Sequence, residues 1–324
     1  MLIAKRPSHL DQGGLWEFPG GKREPGESNA QALVRELHEE LDVMADLALP
    51  MMQITHEYSE KIVMLDFFEI PKWHGDPAGK EGQLISWVAK NQLEEYTFPA
   101  ANNIVLRALK LSRIVLVSPI VDDPIKFSDG LEQCLATSKI AVQLTRPDLS
   151  IAQYRSLSQS IYELCEKYCA RLILDISPEI LPEILPEILS DLPNAGLHLN
   201  NARLIECTER PITKGRTLTA ACHNLDELEQ AELLDVDAAI LTPIKAIKGP
   251  RALMALGWRE AAEICDRATI PVFAHGGLQA NDFPQAVVTG CYGMALDCSY
   301  AELGESMNLG ELIGRAHISL PSVD

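Results

Sequence analysis

Three glutamates, Glu36, Glu39 and Glu40, follow a glycine-rich turn, Gly20-Gly21-Lys22-Arg23-Glu24-Pro25-Gly26-Glu27. Ser28 followed by Gln31 reads as a capping box and opens a helix over residues 29–41. At roughly 100° per residue, Ala30, Leu33, Val34, Leu37 and Leu41 gather on one side as the stripe that packs on the core. The three glutamates fall on an adjoining arc about 100° wide. Like charges at i,i+4 destabilise a helix, and hard divalent cations prefer oxygen ligands of this kind. A Mg²⁺ or Mn²⁺ site is the simplest account of the arc, and a solvated acidic helix face is its alternative.

The wider spacing favours the metal. Gly21, five residues, Glu27, seven residues, then Arg35-Glu36-Leu37-His38-Glu39-Glu40-Leu41-Asp42-Val43 resembles the Nudix box. That signature has glycine and glutamate at this spacing before R-E-U-x-E-E-x-G-U, where U is a bulky aliphatic. One defined position departs: Asp42 stands where the box has glycine. A left-handed backbone is commonly needed just past a helix, and Asp is among the few other residues that tolerate it.

The resemblance extends to the MutT branch, the 8-oxo-dGTP diphosphatases. Leu15-Trp16-Glu17-Phe18-Pro19-Gly20-Gly21-Lys22 is similar to the strand and turn before the box. The stretch from Trp73 to Gln83 resembles the branch's acidic loop, which places Glu81 as a further metal ligand or as the base. Phe98-Pro99-Ala100-Ala101-Asn102 resembles the segment whose asparagine reads the oxidised purine. Arg6 sits where the branch has a purine-contacting arginine, and Asp11 replaces a histidine found a few residues later.

The resemblance implies a nucleoside triphosphate, 8-oxo-dGTP, with its phosphates over the box helix. Metal, Mg²⁺ with Mn²⁺ as substitute, falls to Glu36, Glu39, Glu40, Glu81 and the Gly20 carbonyl, and substrate to Arg6, Glu17, Phe18, Pro19, Gly20 and Asn102. Water attacks the β-phosphorus, releasing nucleoside monophosphate and pyrophosphate, with Glu36 or Glu81 taking the proton. Arg35 completes the catalytic set by orienting carboxylates, and Glu27, with Gly21, supports the loop. On its own Asn102 also reads as a helix N-cap.

These residues occupy the first third of a 324-residue chain, long enough for two domains. Hydrophobic residues make up 47% and charged residues 23%, proportions that exclude a fibrous or wholly disordered chain. The formal charge of −18 disfavours non-specific adhesion to nucleic acid or anionic lipid. No apolar run is long enough to span a membrane and no secretory signal is visible. The eight cysteines match no zinc pattern and read as free thiols, so a cytoplasmic location is expected.

The texture changes near residue 112. Beyond it, short apolar runs alternate with amphipathic stretches: Ile114–Val117, Ile140–Leu144, Leu172–Ile176, Gly196–Leu199, Leu218–Cys222, Ala238–Leu241, Ile270–Ala274 and Gly293–Leu296. Eight such runs point to a (β/α)8 barrel, with an open doubly wound sheet as the alternative. The expected fold is therefore an N-terminal Nudix α/β/α sandwich over 1–112 followed by a TIM-type barrel over 113–324. Nudix domains normally begin with a strand ahead of the Met1–Lys5 region. This chain thus reads as starting in the second strand, either from a start assigned too late, the preferred reading, or with residues from elsewhere covering the gap. Pro-Glu-Ile-Leu occurs three times from Pro178 to Leu189, and its prolines should break any continuous helix.

The barrel half resembles thiamine-phosphate synthase and its TenI relatives, through Gln143-Leu144, Gly196-Leu197-His198-Leu199, Cys222-His223, Pro243-Ile244 and Pro271 to Leu278. Gly276-Gly277 suits a phosphate, and His198, His223 and His275 are candidates for the barrel mouth. The synthase's diphosphate-gripping Arg and Lys appear here as Thr145 and Pro147, its metal-binding aspartates as Ile176 and Arg203, and a catalytic serine as Ala221. Synthase chemistry is therefore expected to be lost. Two further readings are a bifunctional thiamine-related protein whose Nudix half hydrolyses thiamine diphosphate, and a barrel that binds a thiamine-phosphate-like ligand as a regulatory module.

Overall fold

The computed structural model describes residues 1–9, 12–58, 61–118, 124–137, 139–176, 181–246 and 254–297; Asp11 and Cys298 fall outside them. The chain divides into two compact units, one over Met1–Lys110 and one that begins at Leu111.

In the first unit the order is β1 (Leu2–Lys5), β2 (Trp16–Glu17), α1 (Asn29–Leu41), β3 (Met44–Tyr58), β4 (Lys61–His74), β5 (Ile85–Trp87) and α2 (Asn103–Ala108). β1 is the central strand of a small sheet, antiparallel to β2 on one side and to β5 on the other. β3 and β4 form a long hairpin with bulges near Ala45, Leu47 and Pro50, the last allowing a proline within the strand. α1 starts where the capping box places it: Ser28 Oγ accepts from the Gln31 N–H, and Gln31 Oε1 accepts from the Ser28 N–H at 2.8 Å. It ends on Asp42 in the left-handed region, with φ 59° and ψ 32°. Leu37, Leu41 and Val43 form the core beneath the helix, joined by Leu2, Leu33, Ala45, Ile70 and Ile85. Leu37 and Leu41 of the predicted stripe are buried, and Ala32 is buried on the opposite side of the helix.

The second unit alternates β6 (Ile114–Val117), α3 (Pro124–Thr137), β7 (Ala141–Thr145), α4 (Ile151–Lys167), β8 (Arg171–Asp175), α5 (Leu181–Asp191), β9 (Gly196–Leu199), α6 (Asn201–Glu206), β10 (Leu218–Cys222), α7 (Leu225–Leu233), β11 (Ala238–Leu241), α8 (Gly257–Cys265), β12 (Val272–Ala274), α9 (Phe283–Val288) and β13 (Gly293–Asp297). All neighbours pair in parallel, and β13 returns to β6 through Met294 opposite Ile114, closing the sheet. The open-sheet alternative is thereby excluded. Strands such as β6, β9 and β11 are buried at every residue, as expected where helices cover one side and packed side chains fill the other.

The Pro-Glu-Ile-Leu repeat, of which residues 178–180 lie outside the described residues, departs from expectation from Leu181 onward. α5 continues through Pro186, because Ile188, Leu189 and Leu185 on its inner face are buried in the barrel's apolar shell and tertiary packing overrides propensity. Pro186 itself is exposed and lacks the N–H that a helix interior uses. Pro186→Ala is therefore expected to stabilise the barrel by about 1–2 kcal/mol, read as a higher midpoint in thermal unfolding; an unchanged or lower midpoint contradicts this account.

Candidate active site

The glycine turn before α1 makes room for the helix's acidic edge. A Cβ on Gly21 would lie 2.1 Å from the carboxyl carbon of Glu36, so only glycine lets that carboxylate lie against the turn. Gly20 has a φ of 148°, a conformation that L side chains rarely adopt, and its N–H donates to Glu40. Gly21→Ala should leave the fold intact, since the obstructing atoms belong to the end of a side chain that can rotate. Activity is expected to fall at least about 100-fold, because a displacement near 1 Å at reacting groups costs that much. Circular dichroism alongside a turnover assay checks both parts.

Arg35 organises the edge. Its Nε donates to Glu27 Oε1 at 2.7 Å and its Nη2 to Glu27 Oε2 at 3.1 Å, a bidentate pair. Nη1 reaches Glu36 at 3.0 Å and Glu39 at 3.1 Å, and Nη2 also donates to the Lys22 carbonyl at 3.0 Å. The Arg35 hydrogen bonds hold the Glu27 carboxyl below its usual range. One guanidinium thus ties the loop, the box glutamate and two helix carboxylates together.

Glu40 is the most perturbed carboxyl among the described residues of this unit. Burial first, then the negative charges of Glu36, Glu81 and Glu17, push its pKa up to about 7. Burial also raises Glu17, against a charge-assisted bond from Arg6. The structure therefore assembles Glu17, Glu36, Glu40, Glu81 and Gly20, whereas Glu39 is largely exposed and turned to Arg35. Among the described residues no three acidic, His or Cys side chains already converge on one point as a formed metal cage. The donor set nevertheless fits a hard divalent cation, since it offers only oxygens and an excess of negative charge that adds to burial in raising Glu40. Glu17, assigned to substrate on resemblance, is also part of this electrostatic cluster; β2 pairing beside β1 brings it there, a juxtaposition that sequence spacing does not reveal.

Of the other substrate candidates, Phe18 belongs to an aromatic group and Asn102 to the start of α2. Phe18 stacks on Phe98 with centroids 5.4 Å apart and meets Phe67 edge-on at 6.1 Å. Asn102 ends the turn over Ala100–Asn102 and is 7% exposed. It stands at the N-cap of α2, yet its side chain makes no cap hydrogen bond. The plain capping reading therefore fails.

In the barrel, Gly276 and Gly277 are both left-handed, with φ 88° and 66°, and a Cβ on Gly276 would sit 2.8 Å from Pro243. Close packing alone accounts for that glycine. His198 is buried, shares a hydrogen bond of 2.9 Å with Thr219, and is pushed down to about 3 by burial. His223 is held by Glu227 at 2.8 Å, and His275 lies between Thr242 and Asp297 at 3.1 and 3.2 Å. The expectation of a mouth without carboxylates needs correction. Asp175, one residue before Ile176, ends β8, accepts from Thr145 Oγ1 at 3.0 Å and is raised to about 6 by burial. The apolar run hid it, because the alternation in and out of the barrel places Asp175, not Ile176, beside Thr145.

A glycine turn, an Arg-tied acidic helix edge and a facing acidic loop are the attributes of a Nudix hydrolase domain. The chain belongs to that family and carries a second domain of another: residues 1–108 match the NUDIX domain model and residues 114–297 the model for thiamine monophosphate synthase. The first unit is similar to the CTP pyrophosphohydrolase of Escherichia coli, 39% identical over 113 residues, spanning 35% of this chain and 84% of the relative. It is also similar to the 8-oxo-dGTP diphosphatase of Escherichia coli, 36% identical over 110 residues, spanning 34% of this chain and 85% of the relative. The barrel shares its fold with a thiamine phosphate pyrophosphorylase from Pyrococcus furiosus, at a TM-score of 0.50 and 17% identity, covering 65% of this chain and 98% of that one.

Proposed function

We propose that the N-terminal unit is a Mg²⁺-dependent nucleoside triphosphate pyrophosphohydrolase that acts on 8-oxo-dGTP, yielding 8-oxo-dGMP and pyrophosphate and so clearing an oxidised precursor before DNA synthesis. The observation that carries this reading is the acidic edge of the box helix, where Arg35 ties Glu36 and Glu27 beside the Gly20-Gly21 turn and Glu40 sits partly buried among Glu36, Glu81 and Glu17. Glu36, Glu40 and Glu81, with Glu39 and the Gly20 carbonyl, would hold the metal. A divalent ion held there would neutralise phosphate oxygens and make a nearby water easier to deprotonate.

The chain's own groups do the rest. Arg35 fixes Glu36 and Glu27 in place through charge-assisted bonds. Glu36 or Glu81 receives the proton of the attacking water. Phe18 and Phe98 offer flat apolar surface to a base, and the buried Asn102 amide offers donor and acceptor to a purine edge. Arg6 with Glu17 borders the base site.

The relative named for CTP supports a second substrate, a pyrimidine triphosphate. Pyrophosphate release from 8-oxo-dGTP, dGTP, CTP and thiamine diphosphate, each with and without Mg²⁺, decides. A preference for 8-oxo-dGTP supports the proposal, and a preference for CTP or thiamine diphosphate overturns the purine assignment. For the barrel we propose binding of a phosphorylated small ligand without synthase turnover, because Thr145, Pro147 and Ala221 replace the charged and nucleophilic positions. Calorimetric titration of the full chain with thiamine phosphate tests it, absence of heat arguing against it.

A further inference from the structure

The segment between β4 and β5, residues 75–84, carries Glu81 and is built to bend. Gly75 and Gly82 have φ values of 96° and 78°, and a Cβ on Gly79 would fall 2.1 Å from the Gln83 carbonyl oxygen. At its base Trp73 and Trp87 stack with centroids 5.8 Å apart. Such a loop does not by itself fix Glu81 relative to α1.

What fixes it is the end of the helix. The last carbonyls of an α-helix have no partners of their own. Here the Glu40 carbonyl accepts from the Lys80 N–H at 2.9 Å and from Gln83 Nε2 at 3.0 Å, while the Leu41 carbonyl accepts from the Ala78 N–H at 3.0 Å. The other end of the same Gln83 amide accepts from the Glu81 N–H at 2.9 Å. Gln83 therefore bridges the backbone of Glu40 to the backbone of Glu81. Lys80 adds a second tie, its Nζ donating to Asp42 Oδ1 at 2.6 Å and holding that carboxyl below its usual range. Asp42 is the residue that stands where the Nudix box has glycine, and a glycine there has nothing to offer Lys80.

We infer that Gln83 and the Asp42–Lys80 pair are positioning residues that clamp the Glu81 loop to the end of α1, so that Glu81 and Glu40 face one another as one cation-binding unit. The inference rests on the metal role given to these two glutamates above. The Asp42–Lys80 pair is half-exposed, with side-chain exposures of 57% and 44%. An ion pair so placed contributes little to global stability, and its effect is on the loop's position. Asp42 is thus a substitution with a task of its own.

The test uses the full chain and three variants, Asp42→Gly, Lys80→Met and Gln83→Leu, with Lys80→Arg as the conservative control. In metal-free buffer, amide hydrogen exchange at Ala78, Lys80 and Glu81 should quicken about tenfold in the three variants while Leu37 in mid-helix keeps its rate. Mn²⁺ binding, followed by electron paramagnetic resonance, should weaken about tenfold, as loss of groups that orient ligands does, and Lys80→Arg should retain it. Nucleotide KM should hold while the Mg²⁺ concentration for half-maximal rate rises. Asp42→Gly is the most telling, since glycine suits the left-handed backbone and should not lower stability. Unchanged exchange at the three amides overturns the clamp, and faster exchange with unaltered Mn²⁺ affinity overturns its positioning role. Neither measurement requires turnover, so a wrong substrate assignment would show separately, in the nucleotide panel.

Discussion

Glu40→Gln should lower kcat for 8-oxo-dGTP by about 10³-fold and, in the absence of metal, make the box helix more stable at pH 8. The first effect follows from Lewis-acid stabilisation worth several kcal/mol, at about 1.4 kcal/mol per decade of rate. The second follows from linkage. The Glu40 carboxyl of the folded chain titrates at about 7, against an ordinary 4.5. Between those values the unfolded chain has released its proton while the folded chain holds it, so stability falls as pH rises through the window and stays lower above it. Below pH 4.5 both states are protonated and the penalty vanishes. Glutamine keeps the shape and removes the charge. Allowing for the solvent screening of a partly buried group, the gain at pH 8 is about 1 kcal/mol, absent at pH 4. Hydrogen exchange of the α1 amides in EDTA at the two pH values reads it, and equal exchange in variant and parent at pH 8 would show that the crowding of carboxylates costs the fold nothing.

Asn102→Leu should reduce kcat/KM for 8-oxo-dGTP about 100-fold while changing dGTP and CTP much less, collapsing the preference for the oxidised base. The amide is buried and its side chain does not cap α2. Two hydrogen bonds of about 1–1.5 kcal/mol each yield that factor. Leucine has similar volume, so the fold around position 102 should stay in place. Parallel kinetics on the three nucleotides decide, and a uniform loss on all of them would assign Asn102 to packing.

Much of this was legible from residue order because it depends on near neighbours. The capping box, the extent of α1, the left-handed Asp42 and the eight barrel strands are set by spacing and by periodicity, which local physics enforces. The missed features depend on distant partners. Nothing near Lys80 in the chain announces that Asp42, 38 positions earlier, will receive its ammonium. Glu17 enters the carboxylate cluster only because β1 pairs with β2, and Asp175 turns inward only because β7 and β8 pair in a register that sets it beside Thr145. Pro186 misled for the converse reason: a strong local signal yielded to a buried helix face.

The closing seam of the barrel bears on how the chain is made. β13 pairs with β6 across Met294 and Ile114, so the first barrel strand leaves the ribosome long before its last partner exists. The Nudix unit, whose described residues run to Lys110, pairs its own strands earlier, and domains emerging first generally fold first. Synthesis therefore exposes the pairing partners of the first unit while the cylinder behind it still waits for its final stave.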